Sequence, residues 1–304
     1  MGRRRSILLH EACFALFAGV AWIRFAVALG PASPDALLYL AFLLAGAALV
    51  AAGPALGSGA GAKLRLAVYP AGLAAAYMNM GPALTRSGAR LWDAELLRLD
   101  RLLTGTTPAL VLQPLVHPLL TDALSLCYGL FIPYFATSLI WYFFGELPVA
   151  RRFFAGLIGL YSIGFLGYLL VLVGGPYLAF ADLFSVPLAG GLLTEANATL
   201  VAIGGNKVDV FPSLHCAASA FVLAFDRRHS RGRFRLFLVP VVGLWLSTVY
   251  LRYHYLVDLA AGFALAAVAL TAVACRREPS LQFSGDGPSL HRGGEGPAEQ
   301  PEGR

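Results

Sequence analysis

Apolar runs long enough to cross a bilayer recur along the chain, separated by short polar and basic breaks. Eight stand out, at 7–29, 35–56, 63–81, 119–144, 153–174, 213–225, 236–251 and 255–275. About 20 apolar residues in a helix span the hydrocarbon core. The runs lack the period-two alternation of a transmembrane strand. In lipid, a helix satisfies its own backbone polar groups. The pattern predicts an all-α fold, a polytopic transmembrane bundle of about eight spans. Two connections are long, 82–118 and 175–212. Within the first, residues 91–103 form an amphipathic stretch expected to lie on the membrane surface.

Composition agrees with this reading. Of 304 residues, 58% are hydrophobic and only 13% charged, against about 25% charged in an ordinary soluble domain. The net charge of +6 arises from Lys and Arg in short connections, so membrane topology accounts for it and no nucleic-acid partner is expected. Arg3–Arg5, Lys63 with Arg65, Arg151 with Arg152, the arginines from Arg227 to Arg235, and Arg276 with Arg277 all fall on one side of an eight-span chain. By the positive-inside rule that side is the cytoplasm. Both termini are then cytoplasmic, and both long connections face the periplasm, exterior or lumen.

The chain divides into N-terminal transmembrane helices over 1–85, a membrane domain carrying the chemistry over 86–276, and a Gly-, Pro-, Ser- and Glu-rich tail over 277–304 expected to be disordered. Cys13, Cys127, Cys216 and Cys275 form no Cys-x-x-Cys pair and read as packing residues. Asn197-Ala198-Thr199 is a glycosylation sequon on the expected outer side.

The candidate chemistry sits in two segments. In Phe211-Pro212-Ser213-Leu214-His215, proline suits the first helical turn, placing Ser213 and His215 where free N–H groups and the helix dipole favour an anion. In Tyr250-Leu251-Arg252-Tyr253-His254-Tyr255-Leu256-Val257-Asp258, the histidine and aspartate are four apart. On one helical face, Asp258 could accept a hydrogen bond from one ring nitrogen of His254 and leave the other free as a nucleophile. The topology puts both histidines at the outer face. Arg252 and Lys207 are the candidate anion-binding cations near that mouth; Arg98, Arg101 and the acid Asp100, in the first long connection, are weaker candidates for the site. No acidic cluster of divalent-metal type accompanies the motifs, so neither a metal nor any other cofactor is expected.

These two segments resemble the second and third signature motifs of the type 2 phosphatidic acid phosphatase superfamily. They are most similar to its branch containing inositol phosphorylceramide synthases, which favours Pro-Ser-Leu-His and a Tyr-rich His-Tyr-x-x-Asp motif. Stretches 100–108 and 174–177 are weaker likenesses, and the whole covers roughly 90–275. The superfamily's Lys…Arg-Pro motif is not present, and Thr248 stands after Ser247 where an arginine is usual.

The resemblance implies that His254 is a nucleophile forming a phosphohistidine, that Asp258 orients it, that His215 is the general acid and base, and that Ser213 helps hold the phosphoryl oxygens. It implies a phospholipid or polyprenyl-phosphate substrate met in the membrane by the chain alone or as a homo-oligomer. Three readings stay open. The first is a lipid phosphotransferase or phosphatase, with the inositolphosphotransferase type preferred. The second is a polyprenyl-phosphate, polyprenyl-diphosphate or phosphatidate-type lipid phosphatase. The third is a non-catalytic transporter or scaffold.

Overall fold

The computed structural model of the chain describes residues 7–275 apart from 54, 55, 57 and 58. Arg3–Arg5, Arg276, Arg277 and the tail expected to be disordered lie outside the described residues. Those described are helical, with two isolated β-bridges and no strand among them. In chain order the helices are α1 (Leu9–Leu29), α2 (Pro34–Ala52), α3 (Gly59–Arg86), α4 (Asp93–Thr104), α5 (Pro108–Val111), α6 (Pro118–Gly129), α7 (Phe131–Phe144), α8 (Leu147–Leu170), α9 (Pro176–Ala179), α10 (Leu192–Gly204), α11 (Leu214–His229), α12 (Arg231–Tyr250) and α13 (Leu256–Ala274).

Every expected span is helical, but only six are long and apolar enough by themselves to cross a membrane: α1, α2, α6–α7 taken together, α8, α12 and α13. Two differ for physical reasons. The third runs to 28 residues and carries Lys63, Arg65, Arg86 and two internal prolines, Pro70 and Pro82. The sixth, α11, has only 16 residues and ends on Arg227, Arg228 and His229. The expected span at 119–144 is broken at Leu130, one turn before Pro133, whose missing N–H cannot continue the helical ladder. The amphipathic stretch at 91–103 is the helix α4.

Helix α8 is the axis of the bundle. Over its most apolar window 61% of residues are buried, against 17–33% in the other membrane-length helices, whose outward faces carry large apolar side chains. It packs on α1, α3, α7, α11 and α13. Close approach to α11 depends on Gly164, whose missing side chain leaves room for Leu214. One continuous core joins the first three helices to the rest, from Phe14 and Phe17 through Phe165 to Ala269.

At the arginine-rich end, Asp226 is fully buried. It accepts the Tyr134 hydroxyl at 2.9 Å, the Tyr142 hydroxyl at 2.5 Å and Arg233 Nε at 3.2 Å, tying α7, α11 and α12 together. Removing one partner of a buried ion pair costs about 3–5 kcal/mol, because the other is left uncompensated. Asp226→Ala is therefore expected to lower the melting temperature of the detergent-solubilised protein sharply. An unchanged melting curve would show that this network contributes little.

Candidate active site

The other end of the bundle gathers the chemistry. Ser213 caps α11: its Oγ accepts the Cys216 N–H at 3.4 Å, while its own N–H donates to the Asp258 carbonyl at 3.1 Å. Pro212 therefore precedes the cap instead of opening the helix, and the Phe211–Pro212 bond is cis. His215 falls in the first turn. Its ring lies between Tyr128 and Phe131, each at a centroid distance of 4.8 Å, and 5.9 Å from His254.

His254 is not on the helical face with Asp258. It sits in the turn Leu251–Tyr255, before α13 begins at Leu256. A capping box restores the proximity that the spacing predicted from helix periodicity. Asp258 Oδ2 accepts the Tyr255 N–H at 2.9 Å and also faces His254 Nδ1 at 3.5 Å. That approach is longer than a formed hydrogen bond, and neither His254 Nδ1 nor Asp258 Oδ1 has a hydrogen-bond partner. On the other side of the ring, Nε2 lies 3.4 Å from Ser213 Oγ. Gly262 permits this junction: a Cβ there would come within 2.5 Å of the Ser213 carbonyl oxygen.

The turn itself is built by Arg252. At the end of α12, the Tyr253 N–H reaches back to the Thr248 carbonyl and the Arg252 N–H to the Val249 carbonyl, the pattern of a Schellman cap. The residue that closes such a cap adopts a left-handed conformation, here Arg252 at φ 67° where glycine is usual. The His254 N–H shares the Thr248 carbonyl, and the Arg252 carbonyl accepts from Tyr177.

Two carboxylates on α4 fix the surroundings. Asp93 accepts the Gly174 and Gly175 N–H groups at 3.0 and 2.9 Å and the Tyr255 hydroxyl at 2.9 Å. Asp100 accepts the Leu256 and Val257 N–H groups, each at 2.9 Å, supplying partners to the first turn of α13. Asp100 thus holds a helix end. Asp93 was not singled out from the sequence; the signal was a second acid seven residues before Asp100 on an amphipathic helix.

Neither candidate cation, Arg252 or Lys207, lines the cavity that His215 and His254 share. The Arg252 guanidinium donates to the Val186 carbonyl at 2.5 Å and lies over the Phe184 ring at 4.1 Å. Lys207 is exposed, at φ 62° in its own turn, and its side chain does not line the cavity described next.

His215 and His254 open into a cavity of about 420 Å³ with mostly apolar walls from α3, α6, α7, α8 and α10. Tyr77, Tyr128, Tyr177, Tyr253, Asn197 and Asp209 are among its polar lining. Asn197 is buried with its Nδ2 on the Tyr253 hydroxyl, so the sequon faces inward and is closed to a glycan. Burial pulls the His254 imidazole down from 6.5 to about 4, partly opposed by the Asp209 carboxylate and the Val210 carbonyl. Burial pushes the Tyr253 phenol up to about 12. A neutral imidazole with one nitrogen facing a carboxylate and the other facing a serine hydroxyl at the edge of a cavity has the arrangement that nucleophilic attack requires.

The sequence profile of the PAP2 superfamily matches residues 94–272, more than half of the chain. No curated protein and no solved structure is significantly similar to it.

Proposed function

The chain belongs to the PAP2 superfamily, and from that premise we propose that it is an integral membrane enzyme transferring the phosphoryl group of a lipid phosphoester through a phosphohistidine on His254. The observation that supports this most is the orientation of one ring. Nδ1 faces Asp258 and Nε2 faces Ser213 beside the cavity, an arrangement that favours the proton on Nδ1 and leaves Nε2 as the nucleophilic nitrogen.

In the first step His254 Nε2 attacks phosphorus, and the bond from phosphorus to the leaving oxygen breaks. His215 delivers a proton to that oxygen. In the second step an acceptor hydroxyl gives its proton to His215, its oxygen attacks phosphorus, and the bond to Nε2 breaks. Asp258 stabilises the imidazolium character that develops on His254, and Ser213 Oγ with the first-turn N–H groups of α11 binds the phosphoryl oxygens. Arg252 and Lys207 are given no part in phosphate binding.

A lipid hydroxyl is favoured over water as acceptor. The cavity walls are mainly apolar, and the motifs resemble the inositolphosphotransferase-like branch. All eight expected spans cross the membrane in this reading. The basic segments at the starts of α3, α8 and α12 lie at the opposite end from His215 and His254. By the positive-inside rule this supports a site on the non-cytoplasmic side, with both termini in the cytoplasm.

Trapping tests the chemistry. Purified protein given a lipid substrate labelled at phosphorus is expected to form an alkali-stable, acid-labile phosphoenzyme that His254→Ala does not form. Label on another residue, or turnover without label, would sink the reading.

The pH profile follows from the buried ring. His254 is neutral above about pH 4, so the acid limb of kcat/KM is expected only towards pH 4, and a fall on the alkaline side belongs to His215 losing the proton it donates. The Asp209 carboxylate favours the protonated ring, so Asp209→Asn should move the acid limb lower still. An acid limb near 6.5 in the wild type would show the imidazole to be solvated.

A further inference from the structure

The cavity is unusual for one meant to hold phosphate. Among the described residues, no lysine or arginine lines it, and the single carboxylate that does is Asp209. That carboxylate is held in place from outside the segment matched by the superfamily. Tyr77, on α3, donates its hydroxyl to Asp209 Oδ2 at 2.5 Å. The Tyr77 carbonyl in turn accepts from Asn206 Nδ2 at 2.8 Å, which fixes the chain just before Asp209 against α3.

A second acceptor stands in the same wall. Asn197 is 4% exposed, and its Nδ2 is used by the Tyr253 hydroxyl. Its Oδ1 is buried and has no hydrogen-bond partner. A buried amide oxygen without a donor costs free energy, and native proteins leave few. Asn197 lines the cavity, so a bound molecule can supply the missing donor.

A carboxylate and an unfilled carbonyl select for one kind of chemistry. They repel a phosphate carrying two negative charges and attract hydroxyl or ammonium donors. A phosphodiester carries one negative charge and keeps a headgroup on the far side of phosphorus. Resting on the function proposed above, we propose that Asp209 and Asn197 form a headgroup subsite. It takes lipid phosphodiesters whose headgroup presents hydrogen-bond donors and discriminates against phosphomonoester dianions. The helix α3, remote in sequence from both histidines, thereby sets specificity through Tyr77.

Binding can be read without chemistry. Full-length His254→Ala protein in nanodiscs would be loaded with a fluorescent phospholipid. The label would then be competed off by lipids of identical acyl chains. The competitors are phosphatidate and phosphodiesters bearing glycerol, a cyclic polyol, ethanolamine or choline. Choline serves as a cation without an N–H or O–H donor.

Donor-bearing headgroups are expected to compete about tenfold or more better than phosphatidate and choline, the range of a hydrogen bond to a charged group. The polyol and ethanolamine arms tell hydroxyl from ammonium recognition. Asp209→Asn, which can still accept from Tyr77, should narrow the gap to phosphatidate about tenfold. Asn197→Ala should weaken the donor-bearing lipids and leave phosphatidate unchanged; it carries the same comparison if Asp209→Asn does not fold.

Phosphatidate competing as well as the donor-bearing lipids would overturn the proposal. So would choline matching ethanolamine, or ratios within twofold of the parent in a folded variant. Because His254 is already removed, a failure of the phosphohistidine chemistry leaves these ratios readable. Conversely, the loss of selectivity would leave the phosphoenzyme result standing.

Discussion

His254→Ala is expected to lower turnover by at least about 10⁴-fold while leaving the protein folded. The ring sits in a preformed turn that does not depend on it. The Tyr253 and His254 N–H groups bond to the Thr248 carbonyl, and Arg252 closes the cap, whatever the side chain at 254. Besides its contact with the Val210 carbonyl, the imidazole makes approaches of 3.4 Å to Ser213 Oγ and 3.5 Å to Asp258 Oδ2, both at the long end for hydrogen bonds. His215→Ala should behave differently. An acid–base group contributes about 10²–10⁴-fold, and less when the leaving group needs no proton. With a nitrophenyl phosphoester, His215→Ala is expected to regain most of its phosphoenzyme formation, and His254→Ala none. Equal rescue of both variants would mean that the roles of nucleophile and acid are wrongly assigned.

The parts of this molecule that were readable from sequence are those set by local pattern. Apolar runs gave the helices, and Pro212 marked the start of α11 to within two residues, although Ser213 is its cap and the proline lies before it. The His254–Asp258 spacing was informative for a reason other than the one it suggested. Four residues bring side chains together on a helix, but here they do so through a capping box across a helix start. Arg252 shows the opposite case. Its charge pointed to phosphate, yet its position is set by the Schellman cap, and that backbone requirement carries the guanidinium to Val186 and Phe184.

What could not be read was pairing across long separations. Tyr77 meets Asp209 over 132 positions, and Asp93 meets Tyr255 over 162. Such contacts come from packing α3 on α8 and α4 on α13, which no periodicity encodes. The sequon at Asn197 failed similarly, because a motif reports composition and burial decides access.

Asp258→Asn is the sharper test of the site, because it changes charge and donor pattern while nearly preserving shape. Asp258 is fully buried and does three things. Its Oδ2 takes the Tyr255 N–H, the same oxygen faces His254 Nδ1, and its carbonyl receives the Ser213 N–H that anchors the start of α11. Asparagine keeps the backbone role and can keep the cap with its amide oxygen, so a stability loss of about 1 kcal/mol or less is expected. The capping oxygen is also the one that faces Nδ1, so the amide nitrogen takes the unpartnered Oδ1 position and what is lost beside the imidazole is the negative charge. The imidazolium character that develops on His254 during attack then loses its stabilisation. The Asp-to-Asn change in a serine-protease triad, where the tautomer is lost as well, costs about 10⁴-fold in kcat and sets the upper bound here. A drop of about 10³–10⁴-fold in kcat and in the rate of phosphoenzyme formation is therefore expected, with KM little changed. Asp258→Ala should add the loss of the cap, about 1 kcal/mol of stability, to a similar fall in rate. If Asp258→Asn keeps more than a tenth of wild-type turnover in a folded protein, the carboxylate serves only to start α13, and His254 must obtain its orientation from the turn alone.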